Sequence, residues 1–301
     1  MATTIPLMIC GGPKSGTSSL VAVLNSHPDA LILFETDLNA VMPGKYARRL
    51  IEAFPDSRSL MYARDDEADA YRDLQAFAAA KGCRYQMVGD KLPTYDARFF
   101  GRLAGFRLVY SLRAPDEWLA KSCSLYADRQ DVRPVMYQYF KGLVQAHLHP
   151  DCMIVRFGDF MKNNEAVVRA LFRFAGLSAG PQQLRWWETA AHPADPFKRC
   201  QDWWKGHPSS LARPMFNDTR TVRRDHAFWT LCDRCFAPYL DASPGTITRA
   251  QAKADLAAFR SVFDGPPIAL EDVIDARTQV SSVKNRGLKR LFSWGRAKKG
   301  R

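Results

Sequence analysis

The stretch Ile9–Leu20, ICGGPKSGTSSL, decides how this chain folds. It ends one apolar run and leads into a second, LVAVL, so the pattern predicts a strand, a Gly-rich loop and a helix. Backbone N–H groups of such a loop point inward and hold phosphate oxygens, and the start of the helix adds partial positive charge. We therefore predict a phosphate-binding loop at Gly11–Gly16.

The lysine of this loop stands earlier than in a nucleoside-triphosphate P-loop. That motif places Lys directly after its second glycine, whereas this chain has Thr17 after Gly16 and carries Lys14 inside the loop. An ordinary glycine-containing turn does not need this combination of a cation, a flexible glycine and hydroxyl groups. The residues predicted to bind phosphate are Lys14, Ser15, Gly16, Thr17, Ser18 and Ser19.

Strand and helix patterns alternate along the first 180 residues or so. Short apolar runs predict buried strands at 5–10, 30–34, 84–89, 106–112 and 152–157. Helical patterns occur at 17–27, 115–129, 133–147, 163–177, 223–240 and 247–263. This alternation predicts an α/β fold with three layers, in which helices flank a mainly parallel sheet.

Length and composition favour one large domain. The chain has 301 residues, of which 47% are hydrophobic and 25% charged, as in an ordinary globular protein with its own core. We expect this domain to span 1–265 and to be rich in loops over 178–222. An extension would follow at 266–301, with a helix around 270–277 and little other packed structure.

The net charge of +12 is concentrated at the end of the chain. The segment 284–301, KNRGLKRLFSWGRAKKGR, contains eight Lys and Arg residues and no acid. The remaining balance is ordinary, so we expect no nucleic-acid partner. Apolar side chains stand among the basic ones, which favours either contact with an anionic membrane surface or a solvated tail.

Cysteine usage and the lack of a long apolar run indicate a cytoplasmic protein. The seven cysteines are scattered and odd in number, which favours a reducing compartment. No run reaches the length of a membrane span, and the N-terminus lacks the basic region of a signal peptide. The pair Cys232 and Cys235 has no second Cys-x-x-C, which favours core packing over a zinc or redox role.

The first motif resembles a known family. PKSGTSSLVAVLNSHPDALILFE (13–35) resembles the 5′-phosphosulfate loop of sulfotransferases, which is Pro-Lys/Arg-Ser-Gly-Thr-[ST]-x-[LM] followed later by His-Pro. The resemblance implies a fold related to the P-loop kinases. It also implies 3′-phosphoadenosine 5′-phosphosulfate (PAPS) as co-substrate, with no metal.

Two later segments resemble further motifs of the family. VGDKLPTYDARFF (88–100) is similar to the Glu-Lys-[ST]-Pro-x-Tyr segment of carbohydrate sulfotransferases, where Lys91, Pro93 and Tyr95 match and Leu92 replaces the small hydroxyl residue. FRLVYSLRAPDEWLAKSCSLY (106–126) is similar to the 3′-phosphate motif, a strand ending in Arg before a helix that carries Ser.

The 3′-phosphate motif implies Arg113 and Ser122 as ligands. Ser122 stands nine residues after the arginine instead of the usual eight, so Ser124 is an alternative. In some family members a late loop also binds this phosphate, which here would involve Arg220 or Arg223.

The last matching segment, CMIVRFGDFMKNNEAVVRALFRFAGL (152–177), is similar to the family's strand, acidic residue, helix and Gly-Leu ending, and Asp159 could brace the site.

Glu35 is the candidate general base. It follows the apolar run ALILF, so it should emerge where α/β sheets bind ligands, and carbohydrate sulfotransferases carry a catalytic Glu at a similar position. His27 lies at the far end of the first helix, which favours a structural role. Lys91 would bridge the transferred sulfate and the acceptor, and Asp90 would orient it. The catalytic residues predicted are therefore Glu35, Lys14 and Lys91.

The leading hypothesis is a PAPS-dependent sulfotransferase acting on a hydroxyl of a carbohydrate or glycolipid, made at the inner face of the membrane. Two alternatives stay open: a P-loop-type kinase with a displaced lysine, and a non-catalytic module that binds nucleotide or a membrane surface. Paired tryptophans at 185–188 and 202–205 predict either an aromatic wall for the acceptor or core packing.

Overall fold

The five apolar runs form one parallel sheet in the computed structural model, which describes residues 5–40, 42–61, 66–92, 100–126, 129–188, 195–201, 221–261 and 265–275. The strand order is β2-β3-β1-β4-β5, and each neighbouring pair is parallel. The predicted mainly parallel sheet is confirmed. The strands are β1 (Leu7–Gly11), β2 (Ala30–Phe34), β3 (Met87–Lys91), β4 (Arg107–Leu112) and β5 (Cys152–Arg156).

Helices cover both faces of the sheet, which confirms the three-layer prediction. Side chains alternate between the faces of a strand, so Leu7 and Ile9 join one apolar cluster while Met8 and Cys10 join the other. The helices are α1 (Thr17–Asn25), α2 (Lys45–Ala53), α3 (Glu67–Ala80), α4 (Pro115–Ser122), α5 (Arg133–Leu148), α6 (Phe157–Lys162), α7 (Asn164–Phe174), α8 (Pro181–Leu184), α9 (Pro196–Gln201), α10 (Ala227–Asp241), α11 (Arg249–Arg260) and α12 (Leu270–Val273). Helices α1 and α7 pack on the first face, and α3, α5, α10 and α11 pack on the second.

Two features between β2 and β3 differ from the sequence prediction. Helices α2 and α3 occupy this connection and were not among the predicted helices. Strand β3 also begins at Met87, three residues later than the apolar run suggests, and it continues through Lys91. This shift places Lys91 in the sheet, with a side chain only 7% exposed.

The described part of the extension packs on the domain at the place where a helix is expected. Val273 and Ile274 are 0% and 2% exposed. The expected helix around 270–277 ends at Val273 because Ile274–Asp275 (β7) pairs antiparallel with Thr221–Val222 (β6). The domain boundary at 265 stays a prediction. The tail at 284–301 lies outside the described residues.

Within the described part of the chain, no helix is both long enough and apolar enough to cross a bilayer.

Candidate active site at the carboxyl edge of the sheet

The strand order creates a switch point at β1. The chain passes from β1 over β3 to β2, and β4 then lies on the other side of β1. Ligands of α/β proteins bind in the crevice at such a point, outside the carboxyl ends of the strands. The groups at the carboxyl ends of the five strands are the loop Gly11–Gly16, Glu35, Lys91, Arg113 and Phe157. Neighbouring strands lie about 4.8 Å apart, so Glu35 stands roughly 10 Å from the loop, with Lys91 between them.

The phosphate loop begins α1 in the way an anion site requires. Gly16 caps the helix with a left-handed φ of +101° and provides no side chain to bond the first N–H groups. Those groups have no partner within the helix and carry its partial positive charge. Lys14 is exposed and also left-handed, at φ +65°. A Cβ at Gly16 would collide with the ring of Phe157, so only glycine fits there.

Ser15 places an unsatisfied hydroxyl inside this loop. Its side chain is 0% exposed, and Oγ has no hydrogen-bond partner among the described residues. Its carbonyl is fixed by Ser111, whose Oγ donates at 2.7 Å. A buried hydroxyl without a partner costs free energy unless a ligand satisfies it. Thr17 and Ser19 are buried in the first turn of α1, and Ser18 is half-buried.

Arg113 provides a desolvated cation beside the loop. The side chain is buried, and its guanidinium lies 4.2 Å from the centroid of the Phe157 ring. Burial lowers the pKa of Arg113, opposed by the charge of Glu117. Nε has no hydrogen-bond partner within the described part of the chain. A buried guanidinium of this kind suits a phosphate group.

The positions of these two unsatisfied groups can be compared with a nucleotide that carries phosphate groups at two positions. Ser15 Oγ lies within the loop after β1, and Arg113 Nε lies beyond the end of the adjacent β4. One would receive the 5′-phosphosulfate and the other the 3′-phosphate. The residues present therefore fit PAPS.

The candidate base and Lys91 form an ion pair on the other side of the loop. Lys91 Nζ donates to the carboxylate of Glu35 and lies 4.4 Å from the centroid of the Phe34 ring. The Glu35 side chain is 36% exposed, so it remains accessible to an acceptor. Glu35 has a φ of +49°, which is uncommon for a non-glycine residue.

Asp90 stabilises the left-handed turn at residues 35–37 through hydrogen bonds to its backbone. Its carboxylate accepts hydrogen bonds from the backbone N–H groups of Thr36 (3.1 Å), Asp37 (2.8 Å) and Lys91 (2.7 Å). It also accepts from the hydroxyl of Tyr71 at 3.1 Å. Burial raises the pKa of Asp90 to about 7, and the backbone hydrogen bonds oppose this rise. The bonds to the turn show why the sequence places an acid next to Lys91.

Gln201, at the end of α9, holds the same turn from the other side. Its Oε1 accepts from the N–H of Phe34 at 3.1 Å and from the hydroxyl of Thr36 at 3.2 Å. This contact joins positions 165 and more residues apart, so no local pattern could have indicated it.

Ser122 and His27 are buried and hydrogen-bonded within the protein, whereas Asp159 is exposed. Ser122 is 0% exposed, and its hydroxyl donates to the carbonyl of Trp118 at 2.6 Å. His27, at the far end of α1, accepts from the N–H of Asp29 at 3.1 Å through Nδ1. Asp159 is exposed in the first turn of α6, where Phe157 contacts the loop instead. A phosphate role for Ser122 stays a prediction that requires its hydroxyl to turn.

Of the other residues singled out in the sequence, some are described by the structure and some lie outside the described residues. Trp186 is buried at 1% exposure and packs against Phe160, and Cys232 and Cys235 are buried in the core. Arg223 is exposed beside β6. The described ranges contain no cluster of three or more His, Cys, Asp or Glu side chains that could hold a metal ion. Pro93, Tyr95, Arg220 and the pair within 202–205 lie outside the described residues.

Comparison with known proteins identifies the family. The model of the sulfotransferase family matches residues 6–181, which is more than half of the chain. The chain therefore belongs to the sulfotransferase family. None of the curated proteins matches its sequence.

Solved structures that are similar to the chain are also sulfotransferases. The sulfotransferase domain of the Synechococcus PCC 7002 olefin synthase is 15% identical with a TM-score of 0.43, over 87% of this chain and 95% of that domain. The sulfotransferase domain of the curacin biosynthetic pathway is 14% identical with a TM-score of 0.48, over 87% and 98%. A Mycobacterium avium sulfotransferase is 13% identical with a TM-score of 0.40, over 62% and 67%.

Proposed function

We propose that this sulfotransferase moves a sulfuryl group from PAPS to a hydroxyl of a carbohydrate or glycolipid. The observation that carries the proposal is the pair of unsatisfied polar groups, Ser15 Oγ and Arg113 Nε, at the ends of adjacent strands. A triphosphate nucleotide without a 3′-phosphate would leave the buried guanidinium without an anion. Thr17, in the position of the kinase lysine, also disfavours ATP.

The cofactor side of the site would bind and orient. Lys14, the loop N–H groups and the start of α1 would stabilise negative charge that develops on the transferring and leaving oxygens. Arg113 would hold the 3′-phosphate. When bound, PAPS supplies the sulfuryl group: a bond forms from the acceptor oxygen to sulfur, and the bond from sulfur to the bridging oxygen breaks, leaving its electron pair on the 5′-phosphate.

The acceptor side would move a proton. Glu35 would accept the proton of the attacking hydroxyl through its carboxylate, a general-base contribution that is typically about 10²–10⁴-fold. Its partner Lys91 lies between Glu35 and the loop. When PAPS binds, the Lys91 ammonium would leave the Glu35 carboxylate and bind an oxygen of the sulfate. The pairing of Glu35 with Lys91, together with the resemblance of the Lys91 segment to carbohydrate sulfotransferases, supports a sugar hydroxyl as acceptor.

The test is transfer of ³⁵S from labelled PAPS to defined acceptor pools. Chondroitin, galactosylceramide vesicles and p-nitrophenol would represent polysaccharide, glycolipid and small phenol. We expect label in chondroitin or galactosylceramide and far less with Glu35→Gln. Label in p-nitrophenol alone would contradict the acceptor class. Transfer of the γ-phosphate of ATP with Mg²⁺, and no transfer from PAPS, would establish the kinase alternative instead.

The basic tail 284–301 supports a peripheral position at the inner face of the cytoplasmic membrane. Co-sedimentation with phosphatidylserine vesicles would compare the full chain with residues 1–283. The proposal expects the full chain to pellet more. Equal pelleting of both would contradict it.

A further inference from the structure

Two aromatic side chains that the sequence analysis assigned no role connect the phosphate loop to Arg113. Trp118 lies in α4 and Tyr139 lies in α5. Their rings are stacked, with centroids 3.9 Å apart and an angle of 3° between the planes. Both are buried, at 2% and 4% exposure. Because the two rings lie on different helices, this stack fixes one helix against the other.

The tryptophan end of the stack holds the loop. Trp118 Nε1–H donates to the carbonyl of Pro13 at 2.7 Å. A Cβ built at Gly12 would lie 2.8 Å from Trp118 Nε1 and 2.9 Å from the ring of Tyr139. The loop therefore rests directly on both rings, and any side chain at position 12 would lift it.

The tyrosine end of the stack holds the backbone of Arg113. The Tyr139 hydroxyl donates to the carbonyl of Arg113 at 2.7 Å and accepts from its N–H at 2.9 Å. The last paired residue of β4 is Leu112, opposite Arg156, so Arg113 has left the ladder of the sheet. Its backbone needs another partner, and the hydroxyl supplies one for both groups. Burial raises the pKa of Tyr139, which keeps the hydroxyl protonated as a donor.

We propose that Tyr139 is a positioning residue for the 3′-phosphate site, and that the Trp118–Tyr139 stack sets the spacing between this site and the phosphate loop. The inference rests on the proposed function, because it takes Arg113 as the ligand of the 3′-phosphate. Beyond that function, the stack would let the protein distinguish a nucleotide with two phosphates at a fixed spacing from a nucleotide with a single phosphate. Neither aromatic residue touches the nucleotide in this account.

The test is calorimetric titration of Tyr139→Phe with 3′-phosphoadenosine 5′-phosphate (PAP) and with AMP. Phenylalanine keeps the stack and removes both hydrogen bonds. Because each bond contributes a factor of a few, we expect the Kd for PAP to rise about tenfold. AMP lacks the 3′-phosphate, so its Kd should change less than about twofold. In an Arg113→Ala background, Tyr139→Phe should have no further effect on PAP.

Trp118→Phe should weaken PAP and AMP binding equally, unlike Tyr139→Phe. It also tests the inference if Tyr139→Phe fails to fold. It keeps an aromatic ring and removes the donor to Pro13, which belongs to the loop that binds the phosphate common to both nucleotides. The Kd values for PAP and AMP should therefore rise by the same factor, about threefold. A change confined to PAP would overturn the division of roles between the two rings.

Tyr110→Phe is the matched control. Tyr110 is also buried and lies on β4, and its hydroxyl is near Gly142 of α5. Both Kd values should stay within about twofold of wild type. The inference is overturned if Tyr139→Phe leaves PAP affinity unchanged, weakens PAP and AMP equally, or adds its effect to that of Arg113→Ala. If wild type itself fails to prefer PAP over AMP, the proposed function fails instead.

Discussion

The two sides of the site are built on different principles. On the cofactor side, the loop after β1 and Arg113 after β4 contain buried polar groups that have no partner among the described residues. On the acceptor side, Glu35 and Lys91 neutralise each other, and Asp90 holds the turn between them. The first side is prepared for a ligand that brings its own negative charge. On the second side, Glu35 and Lys91 stay paired with each other until an acceptor separates them.

This difference predicts that cofactor binding and proton transfer can be changed separately. Substitutions on the acceptor side should alter turnover alone. Those on the cofactor side should alter nucleotide affinity, and at Lys14, which contacts the transferring oxygens in the proposed function, turnover as well. Turnover is measured as the rate at which PAP is released from PAPS in the presence of the best acceptor pool, with PAP quantified by chromatography. Nucleotide affinity is measured by calorimetry.

The largest effect is expected from Lys14→Ala. Removing a preorganised positive group from the transferring oxygens should lower turnover by about 10²–10³-fold or more. Lys14 is exposed at the loop, so the fold should be unaffected. Lys162→Ala, an exposed lysine at the end of α6, is the control and should keep full turnover. Retention of more than a tenth of wild-type turnover by Lys14→Ala would contradict the role of the loop lysine.

Glu35→Gln should give an effect of similar size and the sharpest separation of the two sides. The amide cannot accept the proton of the acceptor, so turnover should fall by about 10²–10⁴-fold. The Kd for PAP should stay within twofold, because the loop and Arg113 are untouched. Glu52→Gln, on the exposed side of α2, is the control. Near-full turnover of Glu35→Gln would show that another group is the base.

Phe157→Leu should give a moderate effect confined to the cofactor side. The stacked ring contributes a cation–π interaction to Arg113, so its loss should weaken PAP binding by about 2- to 10-fold. Turnover at saturating PAPS should change little. Phe174→Leu, at the end of α7, is the control. Equal loss of PAP and AMP affinity would mean that Phe157 acts through Gly16 and the loop.

Asp90→Asn should change the pH dependence of stability without changing nucleotide affinity. The folded pKa of about 7 lies above the ordinary value near 3.9. Between these values the folded protein binds a proton that the unfolded chain releases, so this contribution to the free energy of unfolding falls as pH rises from about 4 to about 7. Urea unfolding of both proteins across this range would measure it. An identical slope in the variant would contradict the assignment to Asp90.

The cofactor side could be predicted from sequence because its information is local. The loop, the start of α1 and the arginine at the end of β4 each occupy a short contiguous segment. The end of α7 was also predictable, since Gly176 adopts the φ of +76° that favours glycine. Order along the chain then brings the loop and Arg113 to adjacent strands.

The supports of the site could not be predicted, because they depend on long-range contacts. Tyr139 bonds to Arg113 across 26 positions, and Asp90 bonds to Asp37 across 53. Ser122 illustrates the opposite case, in which a motif assigned a ligand. In the structure its hydroxyl bonds back to the carbonyl of Trp118 in its own helix. A local motif therefore predicts which residues lie near the site better than it predicts which side chains are open.

The measurement that tests the central claim most directly is calorimetric titration of the wild-type protein with PAP, AMP and ATP with Mg²⁺, repeated on Arg113→Ala. Arg107→Ala, at the other end of β4, is the control. The account predicts that wild type prefers PAP over AMP by at least tenfold, and that only Arg113→Ala abolishes this preference. Preference for ATP with Mg²⁺, or a preference for PAP that survives Arg113→Ala, would contradict it.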